Sequence, residues 1–100
     1  MDSEAGIQTV RDYLAANFPD SIIEVVHNTQ RRALVFGLAA SDGALVTSLT
    51  VPYALLAWSP ETLIAHLAQR DAVRMLRRAA ERGPAWVVVT EQDVRMTAAR

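Results

Sequence analysis

Apolar residues recur along the first part of the chain at the spacing of a helix. Four of them stand three or four positions apart: Ile7, Val10, Leu14 and Phe18. This period places them on one face of an α-helix. The pattern predicts an amphipathic helix over residues 4–17, with Ser3 as its N-terminal cap. Pro19 ends it, because a residue that precedes proline disfavours the helical region.

Three runs of apolar and β-branched residues follow, each with the length of a strand. They cover residues 22–27, 32–40 and 44–51, and short polar loops separate them. The second loop contains Asp42-Gly43, a pair that tolerates the positive φ of tight hairpin turns. Because loops this short join antiparallel neighbours, the pattern predicts a β-meander.

A long second helix is predicted after the meander. Pro52 ends the third strand, and residues 53–58 are expected to form a short helical turn, since proline suits a first helical position. Ser59-Pro60-Glu61 combines a cap, a proline and an acid, which is the pattern of a helix start. We expect this helix to reach Arg82, where Gly83-Pro84 would end it.

The C-terminal residues predict one more strand. Residues 85–89 are apolar and β-branched, and Thr90-Glu91-Gln92-Asp93 is interpreted as the cap of a last helical turn. The expected fold is a two-layer α+β domain that takes in residues 1–100, with the chain order α-β-β-β-α-β.

The second and third predicted strands have an unusual pattern of faces. Each has one bulky face and one face of small residues, and neither face carries a charge between residues 33 and 40 or between 44 and 51. An antiparallel strand with one solvated face usually shows polar residues there. We therefore expect a helix or a second copy of the chain to cover the small face. The interface residues predicted for the second copy are Val35, Gly37, Val46, Ser48 and Thr50.

Composition narrows the classes of function. The chain has no cysteine, which excludes disulfides and thiolate chemistry, and its net charge of −1 gives no global attraction to nucleic acid or anionic membranes. All ten basic residues are arginine, a bias typical of GC-rich bacterial genomes. No uninterrupted apolar run has the length of a membrane span, and the acidic N-terminus differs from a signal peptide. We expect a cytoplasmic bacterial protein that binds no membrane.

Arginines in the second helix suggest one alternative function. On a continuous helix Arg70, Arg74 and Arg77 share one face, which with Arg31 forms a candidate anion-binding surface for nucleic acid. The order helix, three strands, helix is similar to that of double-stranded-RNA-binding domains. That family has a lysine cluster at the start of its second helix, whereas this chain has Ser59-Pro60-Glu61-Thr62. An ordinary solvated helix face is the simpler interpretation.

A small enzyme or ligand-binding domain is the other alternative. It requires polar groups such as Glu24, His27 and Tyr53 to converge in a pocket. The two histidines, His27 and His66, have no metal-ligand spacing. Sequence motifs of the common catalytic and nucleotide-binding sites are absent, so no catalytic residue, metal ligand or cofactor is predicted. Trp58 and the tryptophan at position 86 are interpreted as packing residues.

Residues 32–94 resemble a family of short bacterial domains of unknown function. The resemblance rests on five matching segments: Arg32-x-x-Val35-Phe36, Asp42-Gly43, Val51-x-x-Ala54-Leu55, a long helix with Arg70, and Val88-Val89-Thr90 with Asp93. The family has no assigned activity, so the resemblance implies no catalytic residues and no cofactor. The function favoured by the sequence is that of a non-enzymatic interaction or regulatory module that acts as a homodimer.

Overall fold

The computed structural model of the chain describes residues 4–43, 45–82 and 85–98, and it confirms the α+β class. The caps predicted at Ser3 and Gly83-Pro84 lie outside these residues. The elements follow in the order α1 (Glu4–Asn17), β1 (Ile22–Asn28), β2 (Ala33–Ala39), β3 (Leu45–Pro52), α2 (Tyr53–Leu56), α3 (Pro60–Gln69), α4 (Ala72–Arg82), β4 (Ala85–Val89) and β5 (Val94–Ala98).

The described strands form one mixed sheet in the order β1-β2-β3-β4-β5. The predicted meander is confirmed, because β1, β2 and β3 pair antiparallel in sequence. β4 then pairs with β3 in parallel, and β5 pairs with β4 antiparallel. Parallel neighbours need a crossover connection. Helices α2, α3 and α4 provide it, with α2 as the short helix predicted after Pro52.

One hydrophobic core lies between the sheet and the helices. Each of the four described helices contributes buried residues to it, and so do alternate positions of β2, β3 and β4. Because successive side chains of a strand point to opposite faces, these helices all cover the same face of the sheet. The strand residues of this covered face include Leu34, Phe36, Leu38, Leu49, Val51, Val87 and Val89.

The predicted start of the second helix is confirmed. The Oγ of Ser59 accepts a hydrogen bond from the backbone N–H of Thr62 at 3.3 Å, and Pro60 takes the first helical position. This arrangement satisfies one of the free N–H groups of the first turn and fixes where α3 begins.

The predicted continuation of that helix to Arg82 is wrong, because the chain breaks between α3 and α4. Arg70 is the C-cap of α3, and Asp71 has a φ of 53°, in the left-handed region. One left-handed residue redirects the chain. The new direction lets α4 bury Ala72 and Leu76 against the sheet, while α3 buries its own residues in the same core.

Helix α1 approaches α2 closely at a glycine. Gly6 is buried, and a β-carbon at this position would overlap the carbonyl oxygen of Leu56 and lie 2.9 Å from its carbonyl carbon. Both atoms belong to the backbone and cannot rotate away. The absence of a side chain at Gly6 therefore allows the N-terminal helix to pack on the crossover.

We expect Gly6→Ala to lower the free energy of unfolding by about 1–3 kcal/mol, the usual cost of overpacking. Alanine favours helices more than glycine does, by about 1 kcal/mol, so helix propensity alone predicts the opposite sign. Urea unfolding at a fixed chain concentration measures the change. Ala16→Gly, at an exposed position of α1, is the matched control and should destabilise by propensity alone. An increase in stability for Gly6→Ala would contradict the close approach.

Candidate functional site

The face of the sheet opposite the helices is the candidate site, and we call it the open face. Its side chains come from alternate positions of all five described strands. The middle strands contribute no charged residue to it. We define the open face as Glu24, Val26, Val35, Gly37, Ser48, Thr50, Trp86, Val88, Arg95 and Thr97.

A groove of about 580 Å³ runs across the open face. Gly37 and Ser48 line it and are buried, although no described helix covers them. Trp86, Thr50 and Thr97 also line the groove. The lining of the groove therefore includes the smallest side chains of the open face and also its largest, Trp86.

Exposed apolar residues extend the open face along β1. Val26 is 60% exposed and Ile22 is 49% exposed, and they are the large hydrophobic residues exposed in the described chain. The register pairs Ile22 with Ala39 and Val26 with Val35, which places both on the open side of the sheet. An apolar surface of this kind usually marks a contact with another molecule.

A turn held by α3 brings β5 to the sheet. The Nε2 of His66 donates to the carbonyl of Thr90 at 2.7 Å, and the Nε of Arg70 donates to the carbonyl of Gln92 at 2.8 Å. Thr90 also donates from its hydroxyl to a carboxylate oxygen of Asp93 at 2.9 Å. The helical turn predicted after Thr90 is wrong, because these contacts lead the chain into a strand. The alternation of apolar and polar residues from Val94 to Ala98 is the sequence signal that predicts this strand.

The same turn lowers the pKa of Asp93. The hydrogen bond from Thr90 is the main cause, followed by the hydrogen bond from Arg95. A carboxyl with a lowered pKa stabilises the fold above its unfolded pKa, and that contribution is lost as pH falls through the folded value.

We expect Thr90→Val to raise the pKa of Asp93 toward its ordinary value, because the hydroxyl that stabilises the carboxylate is removed. The carboxyl then takes up its proton at a higher pH. Titration of the Asp93 side-chain carbon by NMR measures the shift. Thr97→Val is the control and should leave the pKa of Asp93 unchanged. An unchanged value in Thr90→Val would contradict the described turn.

The structure brings most of the predicted interface residues together. Val35, Gly37, Ser48 and Thr50 all line the groove. Val46 does not line it, because it lies where the register between β2 and β3 shifts. Sequence reasoning missed the part of the open face on β4 and β5. Trp86 was interpreted as packing, and β5 was not predicted as a strand.

The three arginines predicted to share one helix face lie on two different helices. Arg70 lies at the end of α3, whereas Arg74 and Arg77 lie on α4, so the helical spacing that placed them together does not apply. Arg70 binds the turn before β5, and the guanidinium of Arg77 lies 5.6 Å from the ring centre of Phe18. Arg74 is exposed on the outer side of α4. Two of the three arginines therefore have structural contacts.

Of the three polar residues considered for a pocket, two are in contact and the third lies apart. The Nδ1 of His27 lies 3.0 Å from the hydroxyl of Tyr53 at the margin of the helix layer. Glu24 lies on the opposite face of β1, where the strand register pairs it with Gly37. These three residues form no common pocket.

His66 and Trp58 have structural roles. His66 is 7% exposed, and the ring of Trp58 meets its imidazole edge-on, with the two ring centres 5.3 Å apart. Within the described residues, no group of three or more histidine or acidic side chains is placed to hold a metal ion. No described helix combines the length and the apolarity needed to cross a bilayer.

Comparison with known proteins gives no relative. No family model matches the chain, and searches of curated proteins and of solved structures found no significant match. The resemblance of residues 32–94 to bacterial domains of unknown function stays a prediction.

Proposed function

We propose that this chain is a non-enzymatic interaction module that forms a homodimer through the open face. The observation that supports it is the contrast between the two faces of the sheet. Every described helix packs on one face. The other face combines an uncharged centre with the exposed side chains of Ile22 and Val26. Burial of such a surface against another molecule is favourable.

A second copy fits this face better than a charged partner does. The centre of the face offers no charge to a nucleic acid or to an acidic or basic peptide. The opposite charges Glu24 and Arg95 lie on the two outer strands, and Arg31 lines the groove from the loop between β1 and β2. A copy of the same surface therefore supplies both an apolar centre and the complementary charges. Two-fold dimers of this kind are the commonest assemblies of soluble proteins.

The dimensions of the face indicate a dimer of modest size. A sheet of five strands that lie about 4.8 Å apart and are about 20 Å long covers a flat area of about 480 Å² on each copy. A standard interface removes about 800 Å² from each partner. The accessible surface area of the face is larger than this flat area because side chains protrude from the sheet. We therefore expect reversible association that depends on concentration.

We expect the unmodified chain to shift from monomer to dimer as its concentration rises, as measured by sedimentation or by light scattering after size exclusion. Thr50→Asp should raise the dissociation constant by more than about tenfold, because the dimer would bury an unpaired charge. Thr50 is half-buried on the central strand. Thr50→Val keeps the shape of the side chain and should leave the dimer intact.

Ala15→Asp controls for the added charge. Ala15 is exposed on α1, on the helix side of the molecule, and Arg11 stands one turn before it. This variant should dimerise as the unmodified chain does. Circular dichroism establishes that each variant is folded. A strictly monomeric unmodified chain at every concentration would overturn the proposed function.

A further inference from the structure

We propose, on the basis of the homodimer inferred above, that the two copies pack face to face about a two-fold axis that runs parallel to β3. In this arrangement Trp86 of each copy packs over Gly37 of the other. The outer strand β1 of each copy lies over β5 of the other, so that the opposite charges of the two margins meet. Three features of the open face support this geometry.

The strand register arranges the open face in two rows across the sheet. Val88 pairs with Thr50 on one side and with Arg95 on the other. Two residues earlier on both β3 and β4, the same parallel register sets Ser48 beside Trp86. The first row is therefore Glu24, Gly37, Ser48, Trp86 and Thr97, and the second is Val26, Val35, Thr50, Val88 and Arg95.

The first row is complementary to itself in shape. Gly37, which has no side chain, lies one strand to one side of β3, and Trp86, the largest side chain of the face, lies one strand to the other side. A two-fold axis parallel to β3 exchanges these two positions and leaves each of them at the same level along the strand direction. Each indole then faces the depression at the other copy's glycine, and small Ser48 faces its own equivalent. Such interdigitation is what close packing between sheets requires.

The margins are complementary in charge. Glu24 lies on β1 and Arg95 lies on β5, each two strands from β3. The same axis sets Glu24 opposite Thr97 of the second copy, with Arg95 in the adjacent row. The side chain of Arg95 is 70% exposed and holds Asp93 through its Nε. The two-fold symmetry repeats the approach of one copy's Glu24 to the other copy's Arg95, so two such pairs flank the apolar centre.

A two-fold axis perpendicular to the strands gives a poorer fit. It sets each strand over its own equivalent, which brings Trp86 against Val88 or against the other Trp86. It also brings Glu24 near Glu24 and Arg95 near Arg95. Large side chains then oppose each other on β4, while Gly37 faces Val35 or the other Gly37 and receives no indole, and like charges repel. The parallel axis avoids both costs.

Cross-linking of single cysteines tests the axis directly, because the chain has no cysteine of its own. With sheets about 10 Å apart and strands about 4.8 Å apart, the two copies of residue 50 lie about 10 Å apart. The two copies of residue 24 lie about 22 Å apart. A short bismaleimide should therefore link Thr50→Cys to itself but not link Glu24→Cys to itself. A mixture of Glu24→Cys and Thr97→Cys should yield the heterologous product.

Charge exchange gives an independent readout. Glu24→Arg and Arg95→Glu should each raise the dissociation constant by about tenfold, because two symmetric pairs become repulsive in each dimer. The double variant Glu24→Arg/Arg95→Glu should regain the affinity of the unmodified chain. Sedimentation of the three variants measures this recovery.

The outcomes separate the two proposals. A chain that dimerises but links Glu24→Cys to itself, or shows no recovery in the double variant, would overturn this axis while the homodimer stands. A chain that does not dimerise at any concentration would overturn the proposed function itself. Self-linking of Thr50→Cys together with recovery in the double variant supports the arrangement.

Discussion

The parallel pairing of β3 with β4 is the constraint on which the rest of the structure depends. Two parallel neighbours cannot be joined by a tight turn, so the chain must leave the sheet, cross over and return. The crossover consists of α2, α3 and α4, and all of them bury their apolar residues on one face. The contact between Gly6 and the backbone of Leu56 adds α1 to the same layer. The four described helices therefore all lie on one side of the sheet.

With the described helices on one side, the other face of the sheet is left without a helix over it. Its central residues are small and uncharged, and a solvated antiparallel face more often carries polar side chains. The face nevertheless keeps hydroxyls at Ser48 and Thr50 and a charge on each outer strand. A surface of this composition remains compatible with water in the monomer and still gains from burial. That balance is the physical basis for a reversible assembly rather than a permanent one.

Local signals predicted much of the fold correctly. The cap at Ser59, the turn at Asp42-Gly43 and the alternation of the meander each depend on residues close in sequence, so their outcome could be inferred without tertiary structure. The break at Asp71 had no such signal, since neither glycine nor proline marks it. It depends on the burial of Ala72 and Leu76 against a sheet that the local sequence does not describe.

The candidate site likewise has one part that local sequence predicts and one part that depends on tertiary contacts. Its portion on β2 and β3 was predicted, because the alternation of side chains within each strand determines which residues share a face. Its portion on β4 and β5 was not. The position of Trp86 relative to Gly37 depends on the parallel register, and the position of Arg95 depends on the turn that His66 and Arg70 hold. Both are long-range contacts.

Those long-range contacts also determine the symmetry of the open face. Gly37 and Trp86 are equally distant from β3 only because β4 returns beside β3 and not beside β1. Glu24 and Arg95 are equally distant only because β5 adds to the far side of β4. A two-fold axis pairs positions that lie at equal distances on either side of it. The crossover that leaves one face uncovered therefore also places a depression opposite a bulky side chain and an acid opposite a base. These are the features that a second copy of the same face can satisfy.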